Sequence, residues 1–341
     1  MQIRFIMINS IKRIVGRGAM MVMGREIPEI WAAIHTPFDD SGAIDEAGIR
    51  RNVRHYIATG LAGVFCNGLI GEVWSLTLQE RQRVVAVIAD EAGGRLGISV
   101  VISGPSVEET IELGEHARRL GVSHAVLMVP TSGPRSPAQQ FEYLHHICTR
   151  LEMPIVIFNA RTAAGSPLDP AVFTQLCSLP NLKLLKTTGT TAENAALRQA
   201  ARNGVLVSDP LEENFFVNMQ GEGQSILYAD PEPYLYQRGD FRPIANYVAL
   251  LASGQTEEAA RICASLAPQR AVFNKWIMDP LKRGHMPNAA VKHWCDLVGI
   301  AGGAVRSPVT PLSAAERREL EADLVACEAP GLLSAAERTS S

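Results

Sequence analysis

The amino-acid sequence predicts an α/β fold, a (β/α)8 TIM barrel followed by a helical appendage. Short apolar runs alternate with amphipathic helical segments from residue 30 onward, as strands and helices do around a parallel sheet. Eight such runs occur, and eight parallel strands close a barrel. The chain has 341 residues, 47% of them hydrophobic and 20% charged, so it can bury one large core.

The candidate strands are short and each leads into a loop or a helical segment. They are residues 30–35, 63–66, 98–102, 125–129, 155–159, 182–186, 205–208 and 225–228. The helical patterns between them include residues 45–59, 78–92, 107–120, 137–151 and 170–179. Thr77 and Ser106 are candidate N-caps, and Glu109 follows Ser106 at the spacing of a capping box.

After the last candidate strand the pattern becomes purely helical, at residues 240–252, 256–277, 289–298 and 314–326. Ser313 and Glu316 form a capping-box signature at the start of the last of these helices. We therefore divide the chain into a barrel at residues 29–235, a helical domain at 236–330 and a frayed tail at 331–341.

Residues 1–28 are expected to form an N-terminal extension. Its basic residues, with no acid before Glu26, are typical of a presequence. The methionines at positions 20, 21 and 23 instead indicate a start placed too far upstream. We favour the second interpretation, with a poorly ordered or loosely attached segment. The basic residues are Arg4, Lys12, Arg13, Arg17 and Arg25.

Charge and cysteine content narrow the classes of function. Lys+Arg 32 against Asp+Glu 35 leaves a net charge of −3 without a basic stripe, so no nucleic-acid partner is expected. No run of apolar residues is long enough to span a membrane. The six cysteines are scattered, as in a reduced cytoplasmic protein. The adjacent His145 and His146 diverge on a helix, so a shared metal is not expected. No cofactor is expected either.

Lys186 is the residue that points to a chemistry. It closes the sixth candidate strand and is followed by Thr187, Thr188 and Gly189, a loop signal. The C-terminal ends of barrel strands are where such folds carry out catalysis, and a neutral amine there can form an imine with a carbonyl substrate. A surface lysine at a strand end would give the same local pattern, so the other motifs must decide.

Several other short motifs lie along the chain, each at a strand end or in a loop. Together they resemble the dihydrodipicolinate synthase and N-acetylneuraminate lyase family of class I aldolase-like barrels, over roughly residues 29 to 325. The motifs are Thr36-Pro37-Phe38, Gly68-Leu69-Ile70-Gly71-Glu72, Leu76-Thr77 with Glu80-Arg81, Phe158-Asn159, Lys186 and Arg306-Ser307-Pro308.

This resemblance implies a barrel with a C-terminal helical domain, an imine between Lys186 and a 2-oxo acid such as pyruvate, and a homodimer or homotetramer. Gly68 and Gly71 would allow a tight loop whose N–H groups hold a carboxylate, although an ordinary turn has the same pattern. Glu72 follows at a helix start, where the dipole favours a negative charge. Asn159 is expected to have a structural role.

The chain departs from the family in the residues that move protons. Leu69 and Ile70 lie where the family usually has two hydroxyl residues, and Phe158 replaces the tyrosine that acts as proton shuttle. The segment after the fourth strand, with Thr131 and Ser132, has no tyrosine either. The usual hydroxyl relay is therefore missing, and the surroundings of Lys186 are expected to be apolar.

The residues that recognise the substrate are also expected to differ from those of the family. The arginine that binds substrate in the synthases would lie near Ala163, so true dihydrodipicolinate synthase activity is not expected. Arg161 either binds a carboxylate through its planar fork or is an exposed loop residue. Thr188 lies where lyase-type members place a substrate-binding threonine. Trp74 is either a core residue or an aromatic wall for a ring-bearing substrate.

Two classes of function remain open. The first is a Schiff-base lyase, an aldolase or dehydratase that breaks a C–C or C–O bond of a 2-oxo acid. The second is a catalytically impaired paralogue that binds a keto acid or a protein partner. The expected site consists of Lys186 as catalytic residue, Gly68, Leu69, Ile70, Phe158, Arg161 and Thr188 as substrate-binding residues, and Thr36, Gly71, Glu72 and Asn159 as structural neighbours.

Overall fold

Eight parallel β-strands form a nearly closed barrel with flanking helices, which confirms the expected (β/α)8 TIM-barrel class. The structure, a computed structural model, describes residues 21–22, 25–128, 136–160, 167–334 and 337. A two-stranded antiparallel hairpin, Met21–Val22 with Arg25–Glu26, precedes the barrel. Most of the expected extension and of the expected tail lies outside the described residues.

The barrel strands pair in sequence order, and the last strand pairs with the first. Their ends differ from the expected ones by at most two residues. The strands are β1 (Glu29–Ala33), β2 (Gly63–Cys66), β3 (Gly97–Val101), β4 (His124–Met128), β5 (Ile155–Asn159), β6 (Leu182–Thr187), β7 (Leu206–Ser208) and β8 (Ile226–Ala229).

Side chains bridge the seam between β7 and β8, where the main-chain ladder of the described strands stops. The hydroxyl of Ser208 accepts a hydrogen bond from the Tyr228 amide at 2.9 Å and donates one to the Ile226 carbonyl at 3.1 Å. The side-chain amide of Gln224 donates to the same carbonyl at 2.9 Å. These bonds satisfy main-chain groups that closure of the ladder would otherwise have paired.

Large aromatic side chains fill the barrel interior. Trp31 stacks on Tyr228 with ring centroids 5.6 Å apart, and Phe65 meets Tyr228 edge-on at 5.6 Å. Gly63 and Gly97 leave room for the Trp31 ring, because a Cβ atom at either position would collide with it. The interior is therefore a packed core below the strand ends, as in other barrels of this type.

Helices cover the outside of the barrel and begin largely where the cap signals predicted. Thr77 and Glu80 form a complete capping box, and Ser106 accepts from the Glu109 amide at 3.1 Å. Thr190 and Glu193 form a second box that was not foreseen. The helices are α1 (Glu46–Ala58), α2 (Leu78–Ala92), α3 (Val107–Arg119), α4 (Pro137–Arg150), α5 (Pro170–Leu176), α6 (Thr191–Ala200) and α7 (Glu212–Gly221).

The rest of the chain is helical, as expected, but with different breaks. A single helix at 256–277 is wrong, because Pro268 lacks an N–H and forces a new start after Leu266. No described helix is long and apolar enough to cross a membrane. The elements are α8 (Glu232–Leu235), α9 (Pro243–Ala252), α10 (Thr256–Ser265), α11 (Ala267–Phe273), a π-helical turn (Asn274–Met278), α12 (Asp279–Lys282), α13 (Asn288–Leu297) and α14 (Ala314–Ala326).

Candidate active site

Lys186 lies inside the barrel at the C-terminal end of β6 and is only 1% exposed. Its amine is 2.8 Å from a carboxylate oxygen of Asp230, which follows β8. It also lies 4.8 Å from the ring centroid of Phe158 on β5 and 4.9 Å from that of Phe65 on β2. Groups from three separate strands meet only in the interior of a barrel, so the surface-lysine alternative is wrong.

The two phenylalanine rings shape the surroundings of the amine. Phe158 pairs with Lys186 in the sheet register, and its ring meets that of Phe65 at 88° with centroids 5.7 Å apart. Both ring centroids lie within reach of the favourable interaction between a cation and an aromatic ring. Apolar rings also keep water away from the amine, and this strengthens its attraction to Asp230. The expectation of an apolar environment on this side of Lys186 is confirmed.

Asp230 is the site residue that sequence reasoning missed. It stands directly after Ala229, the last residue of β8, and its side chain is 19% exposed. A signal was present, since a carboxylate just beyond a candidate barrel strand lies at the edge where catalytic groups gather. Its pairing with Lys186, 44 positions earlier, depends on closure of the barrel and has no local pattern.

Behind Asp230 lies a buried group of acids. Burial and, after it, the negative charge of Asp230 raise the pKa of Glu232 well above its usual range. Glu212 is held by side chains around it: Arg270 donates to both of its oxygens and the Tyr247 hydroxyl donates to one. A cavity of about 10 Å³ between Glu212, Glu232 and Arg270 has the size of one water molecule.

The loop after β2 differs from the expected glycine turn. Its left-handed residues are Asn67 and Glu72, each with a φ of 55°, and not the two glycines. Gly68 is needed because a Cβ there would meet the Phe65 ring at 2.5 Å, and Gly71 because it packs against main-chain atoms of Asn67 and Gly68. The glycines thus allow the tight loop through close approach, without a left-handed conformation at either of them.

Helix α13 of the C-terminal domain holds this loop in place. The buried side-chain amide of Asn288 donates to the carbonyls of Leu69 and Ile70, at 3.1 and 2.9 Å. From the other side, the Thr36 hydroxyl donates to the carbonyl of Gly71 at 2.9 Å. Three consecutive peptide groups are therefore fixed by side chains from outside the loop.

Glu72 is also tied to α13. Its carboxylate is fully buried and lies 2.5 Å from the amine of Lys292, which donates to the Ala304 carbonyl at 2.6 Å. Burial lowers the pKa of Lys292, and the charge of Glu72 opposes that shift. The helix dipole proposed for Glu72 is not its main partner, because the helix that follows it has only three residues, Val73–Ser75.

Two of the sequence motifs contact each other through an ion pair. The guanidinium of Arg306 binds both carboxylate oxygens of Glu80, at 2.6 and 3.0 Å, and lies over the ring of Phe38 at 4.1 Å. The Arg306 amide also points to the Glu72 carboxylate at 3.4 Å. The C-terminal segment thus closes over the first two barrel loops.

Asn159 faces away from Lys186, because neighbouring residues of a strand alternate in direction. Its side chain donates to the Thr187 hydroxyl at 3.1 Å and accepts from the Leu168 amide at 2.9 Å. Its main-chain carbonyl accepts from the Thr188 amide at 3.3 Å. A cavity of about 520 Å³ adjoins Asn159 and Thr187 outside the barrel, lined also by Asn194.

Several expected site residues are not brought into the described site. Arg161, Ala163, Thr131 and Ser132 lie outside the described residues, so their roles stay predictions. Trp74 is 41% exposed, so the interpretation of it as a core residue is wrong.

Comparison with known proteins relates this arrangement to one family. A family model described as the dihydrodipicolinate synthetase family matches residues 26–225. A 4-hydroxy-tetrahydrodipicolinate synthase from Methanothrix thermoacetophila is 28% identical over 293 residues, covering 83% of this chain and 91% of that protein. An N-acetylneuraminate lyase from Escherichia coli is 29% identical over 167 residues, 49% of this chain and 56% of the lyase.

Solved structures show the same fold. Dihydrodipicolinate synthase from Aquifex aeolicus matches with a TM-score of 0.79 at 18% identity, covering 90% of this chain and all of that chain, 100%. A prophage protein from Escherichia coli K12, which belongs to the dihydrodipicolinic acid synthase family and was solved in complex with pyruvate, matches with a TM-score of 0.78 at 20% identity. That match covers 89% of this chain and 99% of the other.

Proposed function

This chain belongs to the dihydrodipicolinate synthetase family, and we propose that it is a Schiff-base-forming lyase acting on a 2-oxo acid such as pyruvate or a pyruvate-derived adduct. The observation that carries the proposal is the buried amine of Lys186 at the C-terminal edge of the barrel. In the resting site Asp230 balances its charge. Burying a charged pair costs free energy, so a lysine without a chemical role would stabilise this part of the core less well than an apolar residue.

The proposed reaction begins with attack of the neutral amine on the C2 carbonyl of the oxo acid. Water leaves and a protonated imine remains. In an aldol cleavage a base takes the proton of the C4 hydroxyl, the C3–C4 bond breaks with its electron pair forming the enamine, and an aldehyde departs. The same base then returns a proton to C3, which converts the enamine back to the imine. In a dehydration a base takes a proton from C3 and the enamine expels the oxygen substituent from C4. Hydrolysis of the imine releases the product and restores Lys186.

The substrate carboxylate is assigned to the loop after β2. In a trans peptide the N–H points opposite to the carbonyl, so the N–H groups of Ile70 and Gly71 point away from Asn288, which holds the carbonyls of Leu69 and Ile70. Successive main-chain N–H groups of this kind form an anion-binding concavity. Arg161 is assigned to a second anionic group on the substrate, and Thr188 to its polar part.

Two finer features belong to the same proposal. We infer that the chain is not a true dihydrodipicolinate synthase, because Ala163 lies where the resemblance calls for an arginine. We also infer a homodimer or homotetramer, which light scattering after gel filtration measures directly. A binding protein without turnover is the second candidate function, and the replacement of the expected phenol by Phe158 favours it.

Borohydride reduction in the presence of pyruvate, followed by peptide mass spectrometry, tests the proposal. We expect a reduced adduct on the peptide that contains Lys186 and none in the Lys186→Arg variant, which keeps a positive charge beside Asp230. Lys292 serves as an internal control, since it is a buried lysine outside the proposed site. No adduct on Lys186 in the wild-type protein at any pyruvate concentration would overturn the proposed chemistry.

A further inference from the structure

We propose that Asp230 is the residue that moves protons at the Lys186 imine, in the place of the phenol that this chain lacks. The inference rests on the proposed function and names a catalytic group for it. Its basis is geometric: the Asp230 carboxylate lies 2.8 Å from the reacting nitrogen and comes from β8, on another side of the nitrogen from Phe158 on β5.

Asp230 has the access that a proton carrier needs. Its side chain is 19% exposed, whereas that of Lys186 is 1% exposed, so the carboxylate contacts both solvent and the buried amine 2.8 Å away. A substrate carbonyl that reaches the amine must therefore come close to Asp230. A group within hydrogen-bond distance of the reacting atoms is the first requirement for general acid–base catalysis.

The phenols in the described part of the chain are less suited to this task. Tyr228 is two residues earlier and stacks on Trp31 below the site, with centroids 5.6 Å apart. Tyr234 packs against Tyr56 and His35, at 5.1 and 6.0 Å, and so belongs to the layer between α8 and α1. Burial raises the pKa of both phenols, which makes them poor proton donors and acceptors.

The proton balance of imine formation requires a carrier of this kind. The ammonium group of Lys186 has three protons, and the protonated imine keeps one of them. Asp230 takes the first proton from nitrogen, which frees the lone pair for attack on C2, and returns it to the carbonyl oxygen to give the carbinolamine. A second proton follows the same route and the oxygen leaves as water. Asp230 ends ionised beside the cationic imine.

The same carboxylate reaches the carbon next to the imine. In the enamine step it takes a proton from C3, and in the reverse step it returns that proton. Glu232 lies two residues after Asp230, is buried, and takes no part in this exchange. Asp230 is the acid within hydrogen-bond distance of the Lys186 amine, so it is the group that accepts the proton.

Exchange of the pyruvate methyl protons with D2O, followed by NMR, measures this transfer without knowledge of the natural substrate. We expect Asp230→Asn to slow both exchange and borohydride-trapped adduct formation by about 10²–10⁴-fold, the usual contribution of a positioned acid–base group. Asp240→Asn, the same change at an exposed aspartate, should exchange at the wild-type rate. If Asp230 were only a counter-ion, its loss would leave more of the Lys186 amine neutral. Adduct trapping in Asp230→Asn would then be as fast as in the wild type or faster.

A second variant guards against a folding defect. Asp230→Ala should lose exchange and regain it, saturably, when formate is added as a small carboxylate that enters the vacated space. Exchange at the wild-type rate in Asp230→Asn would overturn the role of Asp230 and leave the lyase proposal standing. The same holds if formate does not rescue a folded Asp230→Ala protein that still forms the Lys186 adduct. Absence of the adduct in the wild type would overturn both.

Discussion

Replacing Lys292 by methionine should destabilise the protein strongly, because the carboxylate of Glu72 would stay buried without its counter-ion. Glu72 is 0% exposed and Lys292 is 1% exposed, and their charged atoms are 2.5 Å apart. Methionine keeps most of the length and apolar volume of lysine, so the change removes a charge and leaves packing largely intact. The variant therefore removes the ion pair together with the hydrogen bond to the Ala304 carbonyl, and the double variant with Glu72→Gln separates the two effects.

The expected loss follows from the distance and the burial. At an effective dielectric constant of about 20, two unit charges 2.5 Å apart attract by about 7 kcal/mol. The cost of removing both charges from water offsets much of this gain, and breaking one side of a buried pair typically costs about 3–5 kcal/mol. We expect a loss in that range for Lys292→Met. The double variant Glu72→Gln/Lys292→Met should lose less, because no bare charge remains.

Urea unfolding of the single and double variants measures these values. Lys275→Met is the matched control, because Lys275 pairs with Asp323 at 2.6 Å but is 47% exposed. Exposed pairs contribute less than about 1 kcal/mol. The reasoning is refuted if Lys292→Met costs no more than Lys275→Met, or if the double variant is as unstable as the single one.

Three further variants test other parts of the structure. Hydrogen bonds from Arg306 lower the pKa of Glu80 to about 2. Glu80→Gln should therefore cost about 1–2 kcal/mol of unfolding free energy at pH 7, after allowance for solvent screening, and this cost should vanish as the pH falls from 4.5 towards 2. A cost independent of pH would contradict this. Burial and, after it, the charge of Asp230 raise the pKa of Glu232. Glu232→Gln should therefore be as stable as the wild type at pH 4 and more stable than the wild type as the pH rises. The same difference in unfolding free energy at pH 4 and pH 8 would show that this carboxyl group is not held protonated. Asn288→Ala should raise the half-saturating pyruvate concentration in borohydride trapping by about 30-fold, since two hydrogen bonds of about 1 kcal/mol each orient the loop. An unchanged value would remove the loop from substrate binding.

Local periodicity was sufficient to predict the barrel, and the motifs elsewhere in the chain were needed to place Lys186 inside it. The strand ends at Asn159 and Thr187 pair in register, and this pairing makes Phe158 the neighbour of Lys186. Parallel strands bring their C-terminal ends to one edge, so a lysine and a ring at adjacent strand ends had to lie close together. These contacts depend only on strand order and on alternation along each strand.

Contacts across the barrel and between domains could not be predicted in the same way. Asn288 lies 219 positions after Leu69, and nothing in its surrounding sequence indicates which face of α13 packs on the barrel. Asn67 and Glu72 adopt left-handed conformations although glycines were available within the same loop. Gly68 instead leaves room for the ring of Phe65, a tertiary contact that the local sequence does not reveal.

The apolar replacements at the site are consistent with a carboxylate that moves protons. A hydroxyl group beside Asp230 would compete with Lys186 for hydrogen bonds to its oxygens, and hydroxyls at the loop would admit water. With rings at Phe65 and Phe158 the ion pair lies in a medium of low polarity, where its attraction is stronger and the carboxylate has one dominant partner. In the proposed reaction Asp230 then carries the protons at a site where Phe158 has none to give. On this view Phe158→Tyr alone should change activity little, because a phenol added beside a working carboxylate duplicates a function that the site already has.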